Sequence, residues 1–275
     1  MVAGLDRYVD AEGATMTSRR FTVPAYTAGP RSPRVRVRLT APWRPRNALL
    51  GVPIPRSAVA DPSSDGHLAV IDPRSGCEYD FWQFRRSGRG YAASWGNAIN
   101  IGSSGVYPRG YSARGSGFAL LAGVVMPREL ARGRIDHALL LSYPGTRSRG
   151  PVHPATESDG RVPGRGAIPE GARLQLDPGI DLDSLGLRGY ERTIARALQV
   201  YGAIVGDTGG RGASFYALHP MSVRQDPYAS LLPDEEYPQL EGIPFDRLRV
   251  LNLGPQNRHA RPRLVSTGCA RFSRR

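Results

Sequence analysis

The chain has 275 residues, and its 37 basic residues are all arginine against 24 acidic ones, a formal net charge of +13. With 33 glycines and 24 prolines and little helical periodicity, it reads as a loop-rich β domain rather than a bundle or a doubly wound sheet. No run of about 18 apolar residues is present, so no membrane-spanning helix is expected.

Residues 1–20 are small, polar and charged, read as a flexible N-terminus. They lack the apolar core of a secretory signal. Residues 21–26 and 34–40 (RVRVRLT) alternate like strands, and the arginines of the second suit an edge. A three-stranded antiparallel meander follows. Its runs are 68–72, 77–84 and 91–99, the first two joined by Pro73-Arg74-Ser75-Gly76, a tight-turn sequence. The stretch 102–117 (GSSGVYPRGYSARGSG) is too long for a simple turn.

Residues 118–125 look like an apolar strand and 126–133 like a short helix. The run 135–143 (IDHALLLSY) is the most apolar strand, expected to lie deep. After a second long loop at 144–169 come a strand at 172–176 and the only long helix, 189–201. Its apolar stripe is Tyr190, Ile194, Ala197, Leu198 and Tyr201; Arg192, Arg196 and Gln199 fall on the other face. Residues 203–207 and 213–218 read as a hairpin around TGGRG, and 248–253 as a last strand. About ten strands and one main packed α-helix fit an all-β, two-sheet, jelly-roll-like sandwich with long loops. The domain reading is 21–253 as one β-sandwich, with 254–275 as a basic, mobile tail. Cys77 and Cys269 could pair or stay free.

Chemistry concentrates on the middle strand. Alternation puts Glu78, Asp80 and Trp82 on one face, and Tyr79, Phe81 and Gln83 on the other. Adjacent carboxylates push each other's pKa apart, and retaining glycosidases hold such a pair about 5–5.5 Å apart. The competing reading is a solvated face balanced by arginines. Trp82 tips the balance toward a site, with Trp95, Asn97 and Gln83 extending a groove. His67 is held open as an acid/base partner. His137, inside an apolar run, is placed beside the groove and favoured as structural. Asp207, before TGG, is either a site residue or a turn-former. No calcium loop, zinc cluster or phosphate-binding glycine loop is recognisable, so neither metal nor cofactor is expected.

Asp65-Gly66-His67, EYDFWQ at 78–83, RIDHAL at 134–139, IPEGARLQLDP at 168–178 and ALQVYG followed by Asp207 carry a resemblance to a mainly actinobacterial family of unestablished function. That resemblance implies a jelly-roll fold and secretion. Glu78-Tyr-Asp80-Phe-Trp-Gln83 is also similar to the Glu-x-Asp-x-x-Glu strand of laminarinase-type glycoside hydrolases, with Gln83 where that pattern has its acid/base glutamate. The functional expectation is a polysaccharide hydrolase using Asp80 or Glu78. Its alternatives are a lyase, with His67 or a tyrosine as base and an arginine or Gln83 neutralising a uronate, and a non-catalytic glycan-binding or surface structural protein. The arginine surplus favours an anionic polymer. Nucleic acid is disfavoured, because the arginines are scattered and no recognition motif accompanies them.

Overall fold

A computed structural model describes residues 5, 9, 13–210, 212–223, 225–251, 264–265 and 267–273. Those residues form three sheets and one long helix. The first three strands are β1 (Ala14–Thr17), β2 (Ala25–Thr27) and β3 (Arg34–Leu39). The sandwich strands that follow are β4 (Ala48–Pro53), β5 (Leu68–Asp72), β6 (Cys77–Trp82), β7 (Arg85–Ser87), β8 (Gly90–Ala93) and β9 (Trp95–Asn100).

One four-stranded sheet runs β2-β5-β6-β9 and the other β4-β3-β8-β7. They share a core of Val37, Leu39, Leu49, Val52, Leu68, Val70, Tyr79, Phe81 and Trp95. Burying that much apolar area is what holds two sheets face to face. The expected meander is β5-β6-β9, antiparallel throughout, with Glu78 opposite Ile99 and Asp80 opposite Asn97. Gly76, at φ 63°, closes the β5–β6 turn.

The run expected as one strand over 91–99 breaks at Ser94, and its halves join different sheets. Ser94 N–H donates to the Trp82 carbonyl (3.0 Å) and its hydroxyl to Gln83 Oε1 (2.5 Å). Gln83, at φ 54°, ends β6.

The rest of the chain builds a third sheet that the sequence reading did not separate. Its elements are the short helix α1 (Pro127–Ala131), β10 (Leu139–Ser142), β11 (Arg173–Leu176), the main helix α2 (Gly189–Val200), β12 (Ala203–Asp207), β13 (Ala213–Tyr216) and β14 (Leu248–Val250). The order is β1-β13-β10-β12-β11-β14, with β1/β13 and β10/β12 parallel. The hairpin expected at 203–218 is therefore absent, because β10 lies between β12 and β13. Leu139, Leu140 and Leu141 are all buried, and a strand apolar on both faces takes a central place.

Residues 14–17, read as part of a flexible terminus, supply edge strand β1, with Ala14 and Met16 in the core. The strand expected at 118–125 is instead turn and isolated bridge. Residues 252 and 253 of the expected last strand, and most of the basic tail, lie outside the described residues. The described part of that tail is anchored. Cys269 is disulfide-bonded to Cys77, Leu50 N–H donates to the Arg271 carbonyl (2.7 Å), and Ser273 N–H donates to the Ala48 carbonyl (2.9 Å).

Helix α2 starts where the Glu191 carboxylate accepts the Arg188 backbone N–H (3.0 Å). It ends before Gly202, at φ 72°. Gln199 is buried rather than wet, its amide donating to the Asp177 and Ile180 carbonyls. Leu198 is fully buried and Arg196 exposed. Denaturant melts should show Leu198→Ala costing about 3 kcal/mol and Arg196→Ala no more than about 0.5 kcal/mol. The reverse ranking would mean that the helix docks through its arginine face.

Candidate functional site

The six-stranded sheet ends in a row of polar side chains. Thr15 on β1 pairs with Ser214 on β13, Ser214 with Ser142 on β10, and Ser142 with Asp207 on β12. Cross-strand partners point to the same face, so four strands deliver three hydroxyls and a carboxylate side by side. Thr15 and Ser214 hydroxyls are 3.2 Å apart. The next pair along, Thr17 and Tyr216, adds two more hydroxyls. A register shift between Leu141 and Ser142 brings Asp207 into the row.

A cavity of about 500 Å³ opens over this row. Thr208, Gly209, Gly210, Phe21, Tyr237 and Gln239 also line it, together with Asp65. Asp65 sits in the turn before β5. That turn is fixed where Gln83 N–H donates to the Asp65 carbonyl (2.8 Å) and Phe84 N–H to the Gly66 carbonyl (2.9 Å). Gly66 adopts φ 47°, and a Cβ there would sit 3.1 Å from the Gln83 backbone. A side chain at 66 would thus strain the turn that carries Asp65.

Asp207 is held at both oxygens. Oδ1 accepts the Thr208 N–H (2.9 Å); Oδ2 accepts the Tyr216 hydroxyl (2.8 Å) and the Arg114 guanidinium. Arg114 is buried, lies 4.6 Å from the Tyr216 ring centroid, and donates to the Leu120 carbonyl (3.3 Å). Burial and then the charge of Asp207 hold the Asp65 carboxyl above the usual carboxylate range. The same two causes raise Asp159 behind Asp207. Glu170, fully buried, is pushed well up by burial and then by Asp159. The cavity thus combines a carboxylate fixed by Arg114 with one carboxyl, Asp65, held above the usual range, an arrangement suited to acid/base chemistry.

The residues singled out in the sequence divide between two places. Asp80 is fully buried. Its Oδ2 accepts the Tyr107 hydroxyl (2.9 Å) and the Leu120 N–H (3.0 Å). Glu78 is 7 % exposed, and its Oε1 accepts the Leu121 N–H (3.0 Å). The carboxylate face of β6 is neither solvated nor lined by arginines; it latches residues 120 and 121. Glu78 also reaches the floor of a second cleft, of about 710 Å³, with His137 on its wall. His137 bonds Glu129 at 3.2 Å through Nε2 and contacts the Ala138 carbonyl at 3.0 Å through Nδ1.

Trp82 is half-buried, packed between two hydrophobic clusters. Trp95 is fully buried against Trp43, Tyr111 and Phe272, its indole N–H donating to the Tyr111 carbonyl (2.6 Å). Asn97 is buried, donating to that same carbonyl (3.3 Å). Gln83 donates to the Ser64 carbonyl (3.3 Å). Trp95 and Asn97, being buried, do not extend an open groove beside the half-buried Trp82 and Gln83.

His67 is buried close to the cavity, with Nδ1 lacking a hydrogen-bond partner. Burial, and then the Arg114 charge, pull its pKa down to about 4. A neutral imidazole that resists protonation when folded, but not when unfolded, removes stability as pH falls from about 6.5 to about 4. Between those limits His67 costs about 3 kcal/mol. Urea melts of wild type and His67→Gln at pH 7 and pH 4 should show the wild type losing that much more on acidification. Equal losses would contradict the burial of a neutral His67. The raised carboxyls act in the opposite sense in both proteins and cancel in the comparison.

Asp65, Arg114, Ser142, Ser214 and Tyr216 were not weighed as site residues in the sequence, and Asp207 was left as a possible turn-former. One signal was present: LLLS, AIVGD and ATMT are apolar or small runs ending in a hydroxyl or a carboxylate. Nothing local marks Arg114, whose side-chain partners Asp207 and Tyr216 are 93 and 102 residues away in the chain. Among the described residues no group of three or more His, Cys, Asp or Glu side chains is placed to hold a metal ion. No helix among them is long and apolar enough to cross a membrane. No family model, curated protein or solved structure matches the chain.

Proposed function

We propose that the chain hydrolyses a polysaccharide at the cavity between Asp65 and Asp207. The observation that carries this reading is the pairing of two carboxyl groups of unlike environment in one hydroxyl-lined cavity. Asp65, with its proton retained by burial and by Asp207, donates to the glycosidic oxygen as the bond to the leaving sugar breaks. A water molecule then adds to the anomeric carbon and gives up a proton to the Asp65 carboxylate, which restores the acid and releases both sugar ends. Asp207, oriented by Arg114, Tyr216 and Thr208 N–H, presents negative charge to the positive charge that develops at the anomeric carbon. Thr15, Thr17, Ser142 and Ser214 match sugar hydroxyls, and Phe21 and Tyr237 in the lining offer apolar faces.

The arrangement favours a neutral polymer over the anionic one expected from net charge. None of the described lining residues is basic, and Arg114 is already paired with Asp207. It also disfavours the lyase reading, because a uronate would meet two carboxyl groups. The Cys77–Cys269 disulfide suits an oxidising compartment, where an extracellular polymer would be met.

Incubation with a panel of neutral glucans, mannans and xylans and of uronate polymers tests the reading. It predicts reducing ends released from a neutral polymer. Ultraviolet absorbance from unsaturated uronates would establish the lyase instead. Saturable binding without cleavage of any polymer would leave the glycan-binding alternative.

A further inference from the structure

The second cleft, of about 710 Å³, shares no lining residue with the Asp207 cavity and is of small-molecule size. We propose that it binds a small molecule with an apolar body and an ammonium head, the head seated on the Glu78 carboxyl group. The walls are largely apolar, with Val106, Phe118, Leu121, Leu139 and Ile204 among them. An apolar body displaces water from such walls favourably.

The floor selects the head. Glu78 and Asp80 are side by side and buried, and Glu78 is raised well above the usual range by burial and by the Asp80 charge. Two carboxyl groups this close disfavour a second negative charge, and the first is held in a buried place. Among the described residues the hydrogen-bond donors given to the pair are neutral: the Tyr107 hydroxyl and the Leu120 and Leu121 N–H groups. Asp80 Oδ1 has no further hydrogen-bond partner. Arg114, the cation felt by both carboxyls, is bonded to Asp207. His137, on the wall, is taken up by Glu129. A buried carboxylate with no cation bonded to it is costly, and a ligand ammonium reaching Glu78 supplies one. An alcohol would leave the charge unpaired, and a carboxylate would add repulsion.

The test uses three probes of matched size: 2-phenylethylamine, 2-phenylethanol and phenylacetate. Each is titrated into the intact chain by calorimetry and followed by amide NMR. The amine should bind at least about tenfold more tightly than the alcohol, with phenylacetate weakest. The Leu120 and Leu121 amide signals should move as the amine saturates. Glu78→Gln should abolish the preference for the amine. Equal affinities, tighter binding of phenylacetate, unchanged amine affinity in folded Glu78→Gln, or saturation without movement of those amides would each overturn the proposal. If Glu78→Gln does not fold, the probe ranking and the amide shifts in wild type decide. None of these readouts depends on polysaccharide cleavage.

Discussion

Replacing both Cys77 and Cys269 with serine should lower the unfolding free energy by about 5 kcal/mol, the largest single effect expected. The bond joins residues 192 apart in sequence. In the chain-entropy account, closing so long a loop removes more unfolded-state freedom than the typical 2–4 kcal/mol. Part of the loss would be local. The disulfide holds 267–273 against β4 and β9, where Phe272 stacks on Trp95 at 5.8 Å and pairs with Leu49. Urea melts of the oxidised wild type and the double-serine variant measure the difference. A loss below about 1 kcal/mol would mean that the other contacts of the segment hold it without the bond.

Arg114→Met should cost about 3–5 kcal/mol, because it leaves Asp207 without a cation in a largely buried setting. The methionine retains much of the apolar stem that packs on Tyr216, so the loss reports mainly on the charge. Asp207→Asn in the Arg114→Met background should then recover a large part of the stability, since no uncompensated carboxylate remains. Melts of the two single variants and the double variant form a cycle with a coupling of at least about 1 kcal/mol. Additive losses would show that Arg114 acts through packing alone.

The sandwich was readable because its strands obey local rules. Cys77–Trp82 alternates, Pro73–Gly76 turns, and the Tyr79 and Phe81 side chains are apolar on the face that became core. Helix α2 was readable for the same reason, except at Gln199, whose amide finds carbonyls at 177 and 180 that its own sequence does not announce. The third sheet was not readable as such. Its order depends on parallel pairings between strands far apart in the chain, β1 with β13 and β10 with β12, and periodicity does not encode pairing partners. The burial of the central strand's carboxylate face was not readable for a related reason. Glu78 and Asp80 share a face as alternation requires, but residues 120 and 121 cover that face, and contacts from about 40 residues away are invisible locally. Asp207 is visible in sequence, yet what distinguishes it is convergence. A strand end, a loop arginine and a hydroxyl row meet only when the sheet is assembled.

The kinetics of Asp207→Asn, Asp65→Asn and Asp80→Asn on whichever polymer the wild type cleaves most directly test where the chemistry resides. The cavity account predicts that the first two lose at least about 10³-fold in kcat while remaining folded, by analogy with the loss of one group of a cooperating set. Asp80→Asn should instead lower the melting temperature, through its bonds to Tyr107 and Leu120, and keep kcat within about tenfold of wild type wherever it is folded. Full activity in Asp207→Asn, with loss of kcat in a stably folded Asp80→Asn, would contradict the account and return the chemistry to the central strand.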